Sequence, residues 1–175
     1  MEIRDARSDD AAAACEVLRR SIAELCAADH GDDPAILARW LANKTPEIVA
    51  SWIAQPGNSL LLAAVAGAVL GVGSVTDAGE VTLNYVSPEA RFRGVSHALL
   101  GALEARAAAR GATGLRLAST ATARRFYLSR GYAQAGPPAG HFGTSTGFPM
   151  TKPLHGSSPE RDQARLTRIS TSRST

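Results

Sequence analysis

Aromatic side chains are few in this chain: four phenylalanines, three tyrosines and two tryptophans among 175 residues. So sparse a set offers no row of base-stacking platforms, which argues against a reader of single-stranded nucleic acid. Cysteine is scarcer still. Cys15 and Cys26 fall in one predicted helix over residues 11–27, about 16 Å apart along its axis, too far to bridge. Buried thiols in a reducing compartment are expected, hence a cytoplasmic protein. The opening MEIRDARSDD lacks the apolar stretch of a secretion signal. The longest apolar run, LLLAAVAGAVLGVGSV at 60–75, falls short of the roughly 20 residues that a membrane span needs. Glycines 67, 71 and 73 interrupt it, so a buried hairpin explains it better and no membrane partner is expected. No internal repeat is present, and the length suits one domain with a real core.

Acid is missing from one region in particular. Between Arg91 and Arg130 stand eight arginines, at 91, 93, 106, 110, 116, 124, 125 and 130, against the single acid Glu104. The whole chain carries a net charge of only +3, too small to argue for nucleic acid as a partner. The local excess reads either as a solvated helix face or as a field for an anionic ligand.

The apolar pattern gives an element order. A short strand at 2–6 precedes the helix at 11–27, and two shorter helices follow at 34–44 and 45–55, the second opened by Thr45 and Pro46. Strands are predicted at 59–65, 68–76 and 80–87, turned at Ala66-Gly67 and at DAG 77–79. A helix from Gly94 to about Arg110 ends at Gly111, where a left-handed cap fits. A strand at 113–119, a helix at 120–130, a strand beginning at YAQAG and another at 147–154 complete a mixed α/β domain over residues 1–154. Residues 155–175 are polar and basic without aromatics, and a disordered tail is expected there.

The mouth of the helix at 94 is the strongest chemical signal. A helix N-terminus offers unpaired N–H groups and the positive end of its dipole, a natural seat for phosphate. Gly94 permits close approach, and Arg91 and Arg93 add charge-assisted hydrogen bonds. A plain turn with solvated arginines is the alternative. Two familiar phosphate loops are absent: the chain has neither GxxxxGK[ST] nor an early GxGxxG. His30 with Asp29, Asp32 and Asp33 matches no metal-ligand spacing, so loop capping is expected there and no metal.

RFRGVS at 91–96 resembles the [RQ]-x-x-G-x-[GA] motif of the GNAT superfamily of N-acetyltransferases, with Ser96 in place of the usual Gly or Ala. TATARRFYLSRGY at 120–132 is similar to that family's second block, with Ala123, Phe126, Tyr127, Gly131 and Tyr132 in register and Thr120 where Asn is common. The resemblance covers roughly residues 2–153. It implies a mostly antiparallel sheet with splayed fourth and fifth strands, flanked by helices, and acetyl-CoA as cosubstrate. It places Arg91, Phe92, Arg93, Gly94, Val95, Ser96 and His97 at the pyrophosphate, and Thr120 and Tyr127 along the cofactor. His97 is equally placed to face water. The backbone N–H of Val86 or its neighbour would polarise the thioester carbonyl.

Tyr127 matches the family's usual general acid; packing beside Phe126 is its other reading. Glu80 resembles the base of histone-type members, and on an unbroken strand it would share a face with Val86; a water chain is the alternative. Tyr85, on the opposite face from Val86, would equally line the acceptor cleft; Trp40 and Trp52 fall in the segment that walls it in this family and read chiefly as packing residues. The expected activity is transfer of an acetyl group to a primary amine of a small molecule or protein, and a dimer is common in the family. A non-catalytic acyl-CoA-binding module is the rival reading.

Overall fold

We describe the protein from a computed structural model; the structure describes residues 1–141 and 144–154. The expected tail at 155–175 lies outside the described residues. Strands β1 (Glu2–Asp5), β2 (Asn58–Val65), β3 (Ala68–Thr76) and β4 (Val81–Val86) form one antiparallel sheet in the order β1-β2-β3-β4. Helices α1 (Ala11–Arg20), α2 (Ala27–His30), α3 (Pro34–Leu41) and α4 (Pro46–Ala54) lie between β1 and β2 in sequence. After β4 come α5 (Val95–Ala109), β5 (Gly114–Ser119), α6 (Ala121–Ser129), β6 (Ala133–Gln134), β7 (Ala139–His141) and β8 (Thr144–Pro153). A second sheet runs β5-β8-β6, with β7 also paired to β8. No helix among the described residues is long and apolar enough to cross a membrane.

α5 buries Val95, Leu99, Leu103 and Ala107, a row of every fourth residue. That row packs on β3 where the strand carries glycine. A Cβ on Gly71 would stand 2.7 Å from the side chains of both Leu99 and Val95, so the glycines that interrupt the apolar run are what lets the helix settle against the sheet. The opposite face of the sheet packs on α1 and α4 through Leu60, Leu62, Val72 and Leu83.

The sequence expectation fails at three places. The helix over 11–27 is not continuous: a π-turn over Ser21–Leu25 interrupts it before α2, and Ile22 and Cys26 both pack with Trp40. Apolar spacing alone does not register that extra residue per turn. Both cysteines are free and buried. β7 had no signal in sequence, being a three-residue strand held by β8. Third, β4 is not an unbroken strand. Ser74 pairs with Leu83 but Val75 pairs with Val81, so Thr82 is an extra, bulged residue. The slip turns Val81 to the α5 side with Val86 and leaves Leu83 and Tyr85 on the α1 side. Glu80 therefore does not share a face with Val86.

The start of the chain is pinned by charge. Arg4 clasps Asp10 with two hydrogen bonds of 2.7 Å, and Arg106 reaches Asp5 at 2.8 Å. Hydrogen bonding from Arg4 holds the Asp10 carboxyl down at about 2. A depressed carboxyl stabilises the fold above its unfolded pKa and loses that contribution as acid protonates it. Stability is thus expected to fall between about pH 4 and pH 2, and Asp10→Asn to flatten that part of the acid-unfolding curve, measured by circular dichroism at fixed denaturant.

Candidate active site

β4 and β5 diverge. A single parallel bridge, Glu80 to Arg116, joins them, and beyond it the two strands are not paired. The pairing pattern of β4 tells which backbone groups face the gap. Ser87 N–H bonds Leu70 O at 2.8 Å, so strand alternation aims the N–H of Tyr85 at β3 and those of Asn84 and Val86 at the open edge. A cavity of about 340 Å³ fills the split, floored by β4, walled by β5 and α6 and closed by the loop before α5.

That loop is shaped as a cradle. Gly94 stands at φ +79° as the cap of α5, with no side chain closing the helix end. Arg91 N–H and Arg93 N–H bond back to Pro88 O and Ala90 O, and the first helical bond is Ala98 N–H to Gly94 O at 3.0 Å. Among the described residues, no protein acceptor meets the N–H groups of Gly94, Val95, Ser96 and His97. Four adjacent donors at the positive end of a 15-residue helix suit an anion. Phe92, at φ +62° and 90 % exposed, lies under the Arg91 guanidinium at the cavity rim.

Six of the eight arginines resolve into two groups. Arg106, Arg110 and Arg116 are committed to Asp5, Asp77 and Glu80. Arg91 and Arg93 have no carboxylate partner among the described residues, and Arg130 donates to His97 Nδ1 at 2.8 Å. The anion-facing field is therefore a few residues at the mouth of α5, not the whole stretch.

Tyr127 is 6 % exposed and lines the cavity from α6. Its ring packs edge-on against Phe126 and Tyr132, with centroids at 5.2 and 5.5 Å. Burial pushes the phenol up to about 12, and the Asn84 side chain close by offsets part of that rise. Asn84 Oδ1 is buried without a hydrogen-bond partner and lines the same cavity. Nothing in the sequence distinguished Asn84 from its neighbours on the strand.

All the residues singled out for the cofactor line this cavity except Arg93, which is exposed beside it. Thr120 lines it too, but its hydroxyl accepts from Ala123 N–H at 3.1 Å as the cap of α6. Glu80 lines neither this cavity nor the next; its carboxylate meets Arg116 Nη2 at 3.0 Å on the surface. Two of the three acids around His30 act as caps: Asp33 accepts from Ala35 N–H and Ile36 N–H. Asp29 accepts from Ala121 N–H at 2.6 Å and Thr122 Oγ1 at 2.5 Å, closing α6 from 92 residues away. Asp29→Ala is expected to cost about 1 kcal/mol of stability, with faster amide hydrogen exchange concentrated at 121–127.

A second cavity, of about 630 Å³, lies against the other face of β4 and shares Thr82, Leu83 and Tyr85 with the first. Trp40, Lys44, Trp52, Asn58 and His141 line it. Burial raises the Tyr85 phenol well above its ordinary range.

Comparison with known proteins agrees with this geometry. Residues 26–154 match the model of the acetyltransferase (GNAT) domain. A search of curated protein sequences finds no match. Among solved structures, the GCN5-related N-acetyltransferase from Rhodopseudomonas palustris superposes with a TM-score of 0.78 at 28% identity, over 87% of this chain and 95% of that one. PaiA N-acetyltransferase from Thermoplasma acidophilum, in complex with coenzyme A, gives 0.75 at 20% identity, over 87% and 98%. Ribosomal-protein-alanine N-acetyltransferase from Brucella melitensis gives 0.68 at 22%, over 88% and 100%. With the domain matched over most of its length and the split sheet that the motifs imply, the chain belongs to the GNAT family of acetyltransferases.

Proposed function

We propose that the protein transfers the acetyl group of acetyl-CoA to a primary amine by direct attack, without a covalent enzyme intermediate. The observation that carries this is two cavities meeting at one strand: the first holds the open N–H groups of 94–97, and the second shares Thr82, Leu83 and Tyr85 with it, which supports reading it as the amine's approach. The free donors and the arginines beside them fit a pyrophosphate, and the open edge of β4 fits an extended chain pairing as a strand would.

Bound there, acetyl-CoA supplies a thioester acyl donor. The Val86 N–H, aimed into the split, is the group that stabilises charge on the carbonyl oxygen. Tyr127 holds the proton offered to the departing sulfur, its ring fixed by packing against Phe126 and Tyr132. Glu80 is held by Arg116 away from both cavities, so the amine's proton is assigned to water in the second cavity. An assay of CoA thiol release tests the reading: release must require an amine. Release independent of every amine, or none at all with CoA bound, would instead favour a binding module.

A further inference from the structure

The charges around the second cavity are one-sided. Arg39 and Lys44 line it with His141, and among the described residues no aspartate or glutamate does. A polyamine or aminosugar brings several positive charges and needs carboxylates to receive them; this lining repels it.

Lys44 is the sharper observation. It is one of only two lysines in the chain, and it is 8 % exposed. Its ammonium has three donors. Asn43 Oδ1 takes one, and Trp40 O, at 3.5 Å, takes another at the outer limit of a hydrogen bond. No carboxylate partners it among the described residues, and burial lowers its pKa, which marks the charge as under-compensated. The Trp52 ring lies 5.6 Å from Nζ, so the cation sits against one aromatic ring at the cavity's edge.

Resting on the acetyl-transfer reading above, we infer that the acceptor is an α-amino acid with an apolar or aromatic side chain, its carboxylate received by Lys44 and its side chain laid against Trp40 and Trp52. The same positive field lowers the pKa of the attacking amine and favours its neutral, nucleophilic form. That suits a cavity without a carboxylate base.

The test gives the full-length protein acetyl-CoA with each proteinogenic α-amino acid, with the matching amino-acid amides, and with spermidine. At least one apolar amino acid is expected to be acetylated, with kcat/KM above that of its amide by about tenfold to a hundredfold, the usual worth of a charge-assisted hydrogen bond. In Lys44→Met that ratio should collapse towards one, through KM for the acid. Amides or spermidine used as well as every acid would overturn the inference, as would a ratio that survives in a folded Lys44→Met protein. Should that variant not fold, the wild-type acid-to-amide ratio decides alone. CoA-induced thermal stabilisation with no amino acid acetylated refutes only the acceptor; absence of that stabilisation refutes the acetyl-transfer reading beneath it.

Discussion

Tyr127→Phe is expected to lower kcat by about 10²–10⁴, the range of a lost proton donor, while CoA affinity changes only a few-fold. The ring's packing against Phe126 and Tyr132 needs no hydroxyl, so the variant should keep its fold. Because burial holds the phenol near 12, the donor stays protonated through any ordinary assay pH. The wild-type rate should then rise with pH as the amine deprotonates and show no fall near 10. The same high pKa bounds the role. So weak an acid gives up its proton reluctantly, so the benefit comes mainly from a hydrogen bond that strengthens as sulfur charge develops. Steady-state kinetics from pH 6 to 10 check both points: a change confined to KM would make Tyr127 a packing residue.

Gly94→Glu is expected to weaken CoA binding by at least about a hundredfold, equivalent to losing two charge-assisted hydrogen bonds. The position has room, since nothing lies within 4 Å of a Cβ there, so the helix should persist. Two effects remain. A side chain at φ +79° is strained by about 1–3 kcal/mol, and a carboxylate at the mouth of α5 competes for the N–H groups and repels phosphate. Gly94→Ala separates them, because it carries the strain alone. Titration calorimetry with CoA should rank wild type, Ala, then Glu, with the larger step at Glu.

The cradle at the mouth of α5 was legible in sequence because its geometry is local. Gly94, the arginines before it and the first turn of α5 are neighbours in the chain, so spacing alone builds the cradle. Features that depend on distant partners were not legible. The bulge at Thr82 is set by pairing with β3, and it reverses the face on which Glu80 was expected. Asp29 read as a loop acid, whereas it caps α6 across 92 residues of chain. Three of the arginines expected to form one field are instead neutralised by Asp5, Asp77 and Glu80, brought in from the β1 and β3–β4 ends of the sheet. The second cavity gathers residues from α3, α4, β4 and β7, and β7 is a strand only because β8 pairs with it.

The central claim is that the split between β4 and β5 is a CoA site. The most direct measurement is the thermal shift of the wild-type protein with acetyl-CoA, CoA, dephospho-CoA and NAD at matched concentrations. Ligand that binds only the native state raises its stability by about 2.7 kcal/mol at a hundredfold excess over Kd, a readily measured rise in Tm. The account predicts stabilisation by both full-length CoA species and none by NAD. No shift with either CoA species well above micromolar concentration would contradict it.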